Sequence, residues 1–255
     1  MQIQENVRDQ VSEAEWEARV ELAACYRLIA HYGMSDLIYN HITSAVPGSH
    51  HNEFLINPFG MLYEEINASC LIKINLAGDV LFNPNSTYGI NPAGYVIHSA
   101  IHGARDDVGC IIHTHTRAGV ALSALECGLL PLTQTSMRFG NVTYHDYEGV
   151  ALDLDERERL VADLGDSNVM ILRNHGLLTA GPSVAEAFNT MYWLEMACRI
   201  QLDALACNTK LILPQEEIAK KTAHLYEPHV RRPYGIMEWP AMIRLLDRRD
   251  TSYQS

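Results

Sequence analysis

The chain has 255 residues, of which 47% are hydrophobic and 20% charged, so it can bury a sizeable core, and one α/β domain is the expectation. Its formal net charge of −12 argues against nucleic acid and anionic membrane surfaces as partners, because both require clustered Lys and Arg. Six cysteines without a CxxC pair favour reduced thiols. The sequence has neither an apolar signal core nor an apolar run of about 18 residues, which predicts a cytoplasmic protein.

The first part of the chain predicts a helix followed by short strands. Residues 1–12 are expected to form a polar arm. Ser12 and Glu15 form a capping box that opens a helix, which Gly33 would end. Four runs bounded by turn-forming residues then predict strands: Leu37–Thr43, Glu53–Ile56, Cys70–Asn75 and Val80–Leu81.

The remaining sequence alternates predicted helices with short apolar strands. The helices are Gly94–Ala104, Ala118–Leu125, Asp155–Leu164, a long one from Ser183 to about Ala206, and Gln215–Tyr226. The strands are Gly109–Ile112, Val142–Tyr144 and Val169–Leu172, which Leu177–Thr179 would continue. Residues 211–255 are expected to form a C-terminal helix and tail that could contact another subunit. The predicted fold class is α/β, a three-layer α+β arrangement with a central, largely antiparallel sheet flanked by helices.

Three of the twelve histidines follow apolar strands. His113 and His115 come directly after one predicted strand, and side chains at i and i+2 point to the same face. His175 comes soon after another. Three imidazoles from two neighbouring strands would form a metal site with an open coordination position. An HxH pair alone is weak support for a metal site, since two histidines in a polar loop would give the same sequence pattern.

The sequence around these histidines resembles the class II aldolase/adducin family, typified by fuculose-phosphate aldolase and ribulose-phosphate 4-epimerase. Residues 94–125 are similar to the family's helix, Arg-x-Asp-type turn, apolar strand and His-x-His motif. Residues 169–181, VMILRNHGLLTAG, are similar to its strand ending in His-Gly. With weaker matches such as Asn57–Gly60 and Tyr63–Glu64, the resemblance spans roughly residues 13–210, the expected family domain.

The resemblance implies that His113, His115 and His175 bind a divalent metal, zinc first, with iron, manganese or cobalt as alternatives. It also implies a small-molecule substrate and a homotetramer with active sites between subunits. Such a metal polarises a carbonyl and stabilises the enediolate or enolate that forms when a carbon–carbon bond breaks.

One departure from the family concerns the catalytic acid/base. Aldolases of the family have a Glu nineteen residues before the first metal histidine, where this chain has Gly94. A glycine cannot transfer a proton, so His98, Tyr95 or His102 is a candidate to replace it. Tyr144 is a further candidate, because family members place acid/base tyrosines near a neighbouring subunit's site; His145 and Tyr147 lie in the same stretch.

A second departure concerns the phosphate-binding residues of the sugar-phosphate members. Where those proteins have small and hydroxyl side chains, this chain has Tyr39-Asn40, Phe59 and Pro92-Ala93, so that only Asn40 is kept. Bulk and apolar surface at a dianion site suggest a substrate without phosphate. The candidate substrate-binding residues are therefore Asn40, Phe59 and Arg138. The other histidines are interpreted as surface or structural residues: His31, His41, His50, His51, His224 and His229.

Three functions fit these observations. The first is a metal-dependent lyase, an aldolase or decarboxylase, acting on a non-phosphorylated carbonyl compound or hydroxy-aromatic acid. The second is a non-haem Fe(II) oxygenase on the same scaffold, because a three-histidine site with open positions can also hold Fe(II). The third is a non-enzymatic module like the adducin head domain.

Overall fold

The computed structural model describes residues 6–85, 87–149 and 156–255. The first five residues of the predicted arm, and Asp155 at the start of one predicted helix, lie outside this part of the chain. The α-helices of the described residues are α1 (Val7–Gln10), α2 (Glu13–His31), α3 (Pro92–Ala104), α4 (Arg117–Ser123), α5 (Gln134–Met137), α6 (Glu156–Leu164), α7 (Val184–Ala206), α8 (Glu216–Tyr226) and α9 (Trp239–Asp247).

The described strands form a single eight-stranded sheet. They are β1 (His41–Ala45), β2 (Glu53–Ile56), β3 (Ile72–Asn75), β4 (Val80–Phe82), β5 (Cys110–Thr114), β6 (Thr143–His145), β7 (Val169–Leu172) and β8 (Gly176–Gly181). Their order is β4-β3-β2-β1-β5-β8-β7-β6. Each neighbouring pair is antiparallel except β6 and β7, which are parallel. The predicted fold class, a largely antiparallel sheet flanked by helices, is confirmed.

Alternating residues of the central strands pack against two separate layers of helices. Ile112 on β5 belongs to the larger apolar cluster, which contains residues of α2 and α7. Its neighbour Ile111 belongs to a second cluster with Ile97 and Ile101 of α3 and with residues of α6. Because side chains alternate along a strand, the two helix layers lie on opposite faces of the sheet. His113, two residues after Ile111, therefore lies on the α3 face.

Local sequence signals explain where the long helices begin. The hydroxyl of Ser12 accepts a hydrogen bond from the backbone N–H of Glu15, 3.1 Å away, at the start of α2. Ser183 caps α7 in the same way through Glu186. Such caps supply partners for N–H groups that have none inside the helix.

Several predicted boundaries were wrong for identifiable reasons. The first strand was placed at Leu37–Thr43, but Leu37 has a φ of +47° and the strand begins at His41. Leu177–Thr179 does not continue β7; it belongs to β8, which runs antiparallel beside β7. The turn that reverses the chain contains Asn174 with a φ of +55°, a conformation that Asn tolerates better than most residues.

The C-terminal segment is packed against the body of the protein. Leu246 and Tyr253 are buried and belong to the main apolar cluster. The guanidinium of Arg27 on α2 is 3.2 Å from a carboxylate oxygen of Asp250. Helix α9 was not predicted, because its apolar residues follow a weakly patterned segment. Within the described residues, no helix is long and apolar enough to span a membrane.

Candidate metal centre

Strand β5 delivers two histidines to one end of the sheet. His113 is buried in the strand, opposite His41 of β1 and Leu178 of β8. His115 follows the strand after Thr114, so its ring lies on the same face as that of His113. Thr116 then caps α4 through the backbone N–H of Gly119, which ends the extended segment directly after the second histidine.

The third histidine lies in the tight turn between β7 and β8. The backbone N–H of His175 donates to the carbonyl of Leu172 at 3.1 Å. Gly176 follows, and a Cβ there would overlap the carbonyl oxygen of Thr114. A glycine at this position lets β8 approach β5 closely, which brings His175 to the end of β5.

The three rings converge through their Nε2 atoms. Nε2 of His113 is 2.8 Å from that of His115 and 3.3 Å from that of His175, and the last two are 3.0 Å apart. They are the one group in the described part of the chain that could hold a metal ion through three such side chains.

Two of these rings have their other nitrogen bound to an acceptor. Nδ1 of His113 donates to the carbonyl oxygen of Leu177 at 2.9 Å. Nδ1 of His115 lies 3.1 Å from the carboxylate of Asp36. Since both partners accept hydrogen bonds, we assign the hydrogen to Nδ1 in each ring, which leaves a lone pair on each Nε2.

The electrostatics of His113 and His175 favour uncharged rings. Burial, and then the neighbouring His175, His115 and His41, hold the pKa of His113 well below its usual value. Burial and His115 lower the pKa of His175 to about 4. At neutral pH these rings are therefore ready to donate lone pairs without first losing a proton.

The residues present fit a divalent cation. Lone pairs of neutral imidazoles that face each other at 2.8 to 3.3 Å repel unless a positive charge lies between them. A tetrahedral zinc ion with Zn–N distances of about 2.0–2.1 Å would separate its ligand nitrogens by about 3.3 Å. The carbonyl of Leu177 and the carboxylate of Asp36 are the kind of partner that orients metal-binding histidines.

His98 and His102 lie in a buried polar row beside the centre. Nε2 of His98 is 2.9 Å from Nδ1 of His41, and its Nδ1 is 2.7 Å from the hydroxyl of Thr43. The same hydroxyl is 2.8 Å from Nε2 of His102. His41, which was interpreted as a surface or structural residue, is buried with its ring centroid 5.1 Å from that of His113.

The candidate tyrosines have other contacts. The hydroxyl of Tyr95 donates to the carbonyl oxygen of Leu76 at 2.7 Å. The hydroxyl of Tyr144 accepts from the backbone N–H of Leu129 at 2.9 Å, and its ring lies under the guanidinium of Arg173. Both hydroxyls are thus held by backbone groups outside the three-histidine cluster.

The candidate substrate-binding residues fall in two places. Asn40, beside His41, is buried, and neither its amide nitrogen nor its amide oxygen has a hydrogen-bond partner among the described residues. The ring of Phe59 is 6.3 Å from that of exposed Tyr39. Arg138 lies elsewhere, in a cleft of about 820 Å³, with its guanidinium over the rings of Trp193, Tyr226 and Tyr234.

A small cavity beside His175 is lined by residues of the stretch after β6. Tyr147 has its ring centroid 6.2 Å from that of His175. His145 is buried, with Nδ1 2.7 Å from the carboxylate of Asp163 and Nε2 3.4 Å from that of Glu156. The sequence singled out His145 and Tyr147 by position alone, and the carboxylate partners of His145 were not foreseen.

Sequence reasoning also missed Asp36. It precedes Leu37, where a strand was predicted, and a carboxylate three residues after Gly33 carries no motif. Its approach to His115 depends on the turn in which the carbonyl of Asp36 accepts from the N–H of Tyr39 at 2.9 Å. No periodic pattern marks that turn.

The fold and these residues together define an α/β protein with a three-histidine site at one end of a mostly antiparallel sheet. The family model for the Class II Aldolase and Adducin N-terminal domain matches residues 20–202. The chain belongs to this family.

Relatives in the family carry different names. A crystal structure of an aldolase II superfamily protein from Pseudomonas syringae has a TM-score of 0.91 and 51% identity, covering 98% of this chain and 100% of that one. The L-fuculose 1-phosphate aldolase from Glaciozyma antarctica PI12 has a TM-score of 0.82 and 30% identity, covering 95% and 93%. Alpha-adducin of Rattus norvegicus is 50% identical over 189 residues, 74% of this chain but only 26% of the adducin.

Proposed function

We propose that this protein is a metal-dependent carbon–carbon lyase, an aldolase or decarboxylase, with its metal held by His113, His115 and His175. The observation that carries the proposal is the convergence of three Nε2 atoms within 3.3 Å of one another, with hydrogens assigned to Nδ1 in two of the rings. When bound, a divalent metal would supply Lewis-acid stabilisation of the negative charge that develops on a carbonyl oxygen.

The chain's own residues orient this centre. The carbonyl of Leu177 and the carboxylate of Asp36 fix the ring planes of His113 and His115 and keep their Nε2 atoms free of hydrogen. His175 is fixed by the turn in which its N–H donates to the carbonyl of Leu172. Zinc is the metal that we expect, because neutral imidazole suits it and the rings lie close to tetrahedral spacing.

The surroundings favour a substrate without phosphate. Leu37 and Tyr39 are exposed and lie in the same turn as Asp36, and Tyr39 packs near Phe59. Apolar and aromatic surface next to Asp36, the partner of His115, suits a carbonyl compound or a hydroxy-aromatic acid better than a phosphate dianion. The unpaired amide of buried Asn40 offers both a donor and an acceptor to such a molecule.

The test begins with the metal content of freshly purified protein. We expect about one equivalent of zinc, and loss of that metal in His113→Ala and in His175→Ala, while His224→Ala, an exposed histidine on α8, keeps it. Unchanged metal content in both site variants would overturn the assignment. Iron together with oxygen uptake would favour the oxygenase alternative.

The reaction class is tested on metal-loaded protein. We expect release of a carbonyl product or of carbon dioxide from non-phosphorylated carbonyl compounds or hydroxy-aromatic acids, and little cleavage of L-fuculose 1-phosphate. Loss of turnover in His113→Ala would tie the activity to the centre. Faster cleavage of the sugar phosphate would contradict the proposed substrate class.

The similarity to alpha-adducin favours a second candidate, a non-enzymatic module. That relative shares 50% identity over most of this chain, so the fold alone does not require catalysis. Absence of metal from wild-type protein under conditions that load a zinc enzyme would support it. Homotetramer formation and a cytoplasmic location are predictions from the sequence.

A further inference from the structure

A continuous buried row of three histidines and one threonine leads from the interior to the candidate metal centre. It runs from His102 through Thr43 and His98 to His41, with successive polar atoms 2.8, 2.7 and 2.9 Å apart. All four residues are at most 3% exposed. Burying so many polar side chains costs free energy unless each hydrogen bond is made. Each neighbouring pair therefore needs one donor and one acceptor, and this constrains which atom donates at every step of the row.

His102, at the inner end of the row, sets the direction in which the hydrogen bonds are donated. Nδ1 of His102 is 3.3 Å from the carbonyl oxygen of Val108, which can only accept, so Nδ1 carries the hydrogen. Burial lowers the pKa of His102 to about 3, so the ring is neutral and its Nε2 is an acceptor. The hydroxyl of Thr43 must therefore donate to Nε2 of His102.

The direction of the hydrogen bonds continues outward from Thr43. Having donated its single hydrogen, the Thr43 oxygen accepts one from Nδ1 of His98. Burial, and then His102, hold the pKa of His98 well below its usual value, so this ring is also neutral and its Nε2 accepts. Nδ1 of His41 then donates to it, and the row ends at a bare Nε2 on His41.

That bare nitrogen lies beside the three-histidine cluster. His41 is the cross-strand partner of His113, with ring centroids 5.1 Å apart. The structure gives its Nε2 no hydrogen-bond partner within the described residues, and its ring is outside the group whose nitrogens could share one ion. It is therefore placed to meet a ligand of the metal, not to replace one of the three histidines.

Residue 94 is a glycine, and the His41 ring fills the space that a side chain at this position would need. A Cβ at Gly94 would lie 2.5 Å from Cδ2 and 2.9 Å from Nε2 of His41, closer than carbon atoms approach. The glycine and the imidazole thus occupy one space between α3 and β1, and a side chain at residue 94 would expel the ring.

We propose that His41 is a further binding residue of the metal site, with Nε2 accepting a hydrogen bond from an O–H group of the molecule bound there. This inference rests on the proposed metal site, and it identifies Nε2 of His41 as the group that selects the small molecules bound there. It predicts a preference for ligands that carry a hydroxyl next to the metal-bound oxygen.

The experiment compares two small probes on the full chain loaded with Co(II). Glycolate and methoxyacetate have the same carboxylate and the same neighbouring oxygen, but only glycolate has the O–H. Titration followed by the visible absorption of bound Co(II) gives both dissociation constants. We expect the preference of wild-type protein for glycolate to fall by about three- to tenfold in His41→Phe, which is the net effect of one hydrogen bond.

Two controls make the result specific. His31→Phe, at the C-terminal end of α2 and outside the buried histidine row, should keep the wild-type preference, and Co(II) affinity should change little in either variant. An unchanged preference in His41→Phe overturns the inference, and so does a large loss of Co(II) affinity, since His41 would then be a metal ligand. If wild-type protein fails to bind Co(II), the proposed function fails first.

A second measurement needs no variant that could misfold. Long-range ¹H–¹⁵N correlation spectra of wild-type, metal-free protein distinguish a hydrogen-bearing ring nitrogen from a bare one. We expect His41, His98 and His102 all to carry hydrogen on Nδ1. The opposite tautomer at His41 would leave Nε2 a donor and overturn the inference.

Discussion

The carboxylate of Asp36 is the residue whose effect on the metal centre is easiest to isolate. Among the described residues of the centre it contacts Nδ1 of His115, at 3.1 Å, and it fixes the orientation and the tautomer of that ring. Removing such a partner usually weakens metal binding without abolishing it, because the ligand atoms themselves remain.

We predict that Asp36→Ala lowers zinc affinity by about 10- to 100-fold, measured by competition with a chromogenic chelator. Asp106→Ala is the matched control, because Asp106 is an exposed carboxylate near the opposite end of β5, and it should bind zinc as wild-type protein does. Equal affinity in the two variants would show that Asp36 does not support the site.

At the scale of elements, the centre depends on how closely β8 approaches β5. Gly176 begins β8 directly after His175, and a Cβ there would overlap the backbone oxygen of Thr114. Backbone atoms of a central strand pair cannot move aside as a flexible side chain can. The strands would have to separate, and His175 would move with them.

We predict that Gly176→Ala destabilises the protein by about 1–3 kcal/mol and also weakens zinc binding, measured by urea unfolding and chelator competition. Gly103→Ala is the matched control: the nearest atom to a Cβ there is 3.5 Å away, and Ala favours the helix by about 0.5–1 kcal/mol. Gly176→Ala with wild-type stability would contradict the close approach of the strands.

At the scale of the whole molecule, the buried histidines make the free energy of unfolding depend on pH. The pKa of His102 is about 3 in the folded protein, because of burial, and burial lowers those of His41 and His98 well below the usual value. In the unfolded chain these histidines bind protons with the ordinary pKa of 6.5. The unfolded chain therefore holds more protons than the folded state below that pH, and stability falls as pH falls from 6.5 towards 3.

We predict that His102 alone makes the metal-free protein about 2 kcal/mol less stable at pH 5 than at pH 7, and that His41 and His98 act in the same direction, measured by urea unfolding at the two pH values. In His102→Phe the new ring can keep the stacking on Phe54. This variant should lack the contribution of His102 to the pH dependence of the free energy of unfolding. Equal stability of wild-type protein at pH 7 and pH 5 would contradict neutral buried rings.

The sequence by itself determined much of the fold. The periodic apolar runs and the capping box at Ser12 predicted the main helices and the largely antiparallel sheet, because these signals are local. The two histidine segments were also recognisable, since each follows an apolar strand. The turn at Asp36 and helix α9 were missed, as neither has a repeating pattern.

The tertiary structure alone decided what surrounds the three histidines. His41 and His31 were both interpreted as surface or structural residues, and only the pairing of β1 with β5 places His41 beside His113. The empty space at Gly94 and the direction of the row from Val108 to His41 likewise depend on contacts between segments far apart in the chain. Hydrogen-bond direction and close approach are properties of packed neighbours, and a sequence pattern records neither.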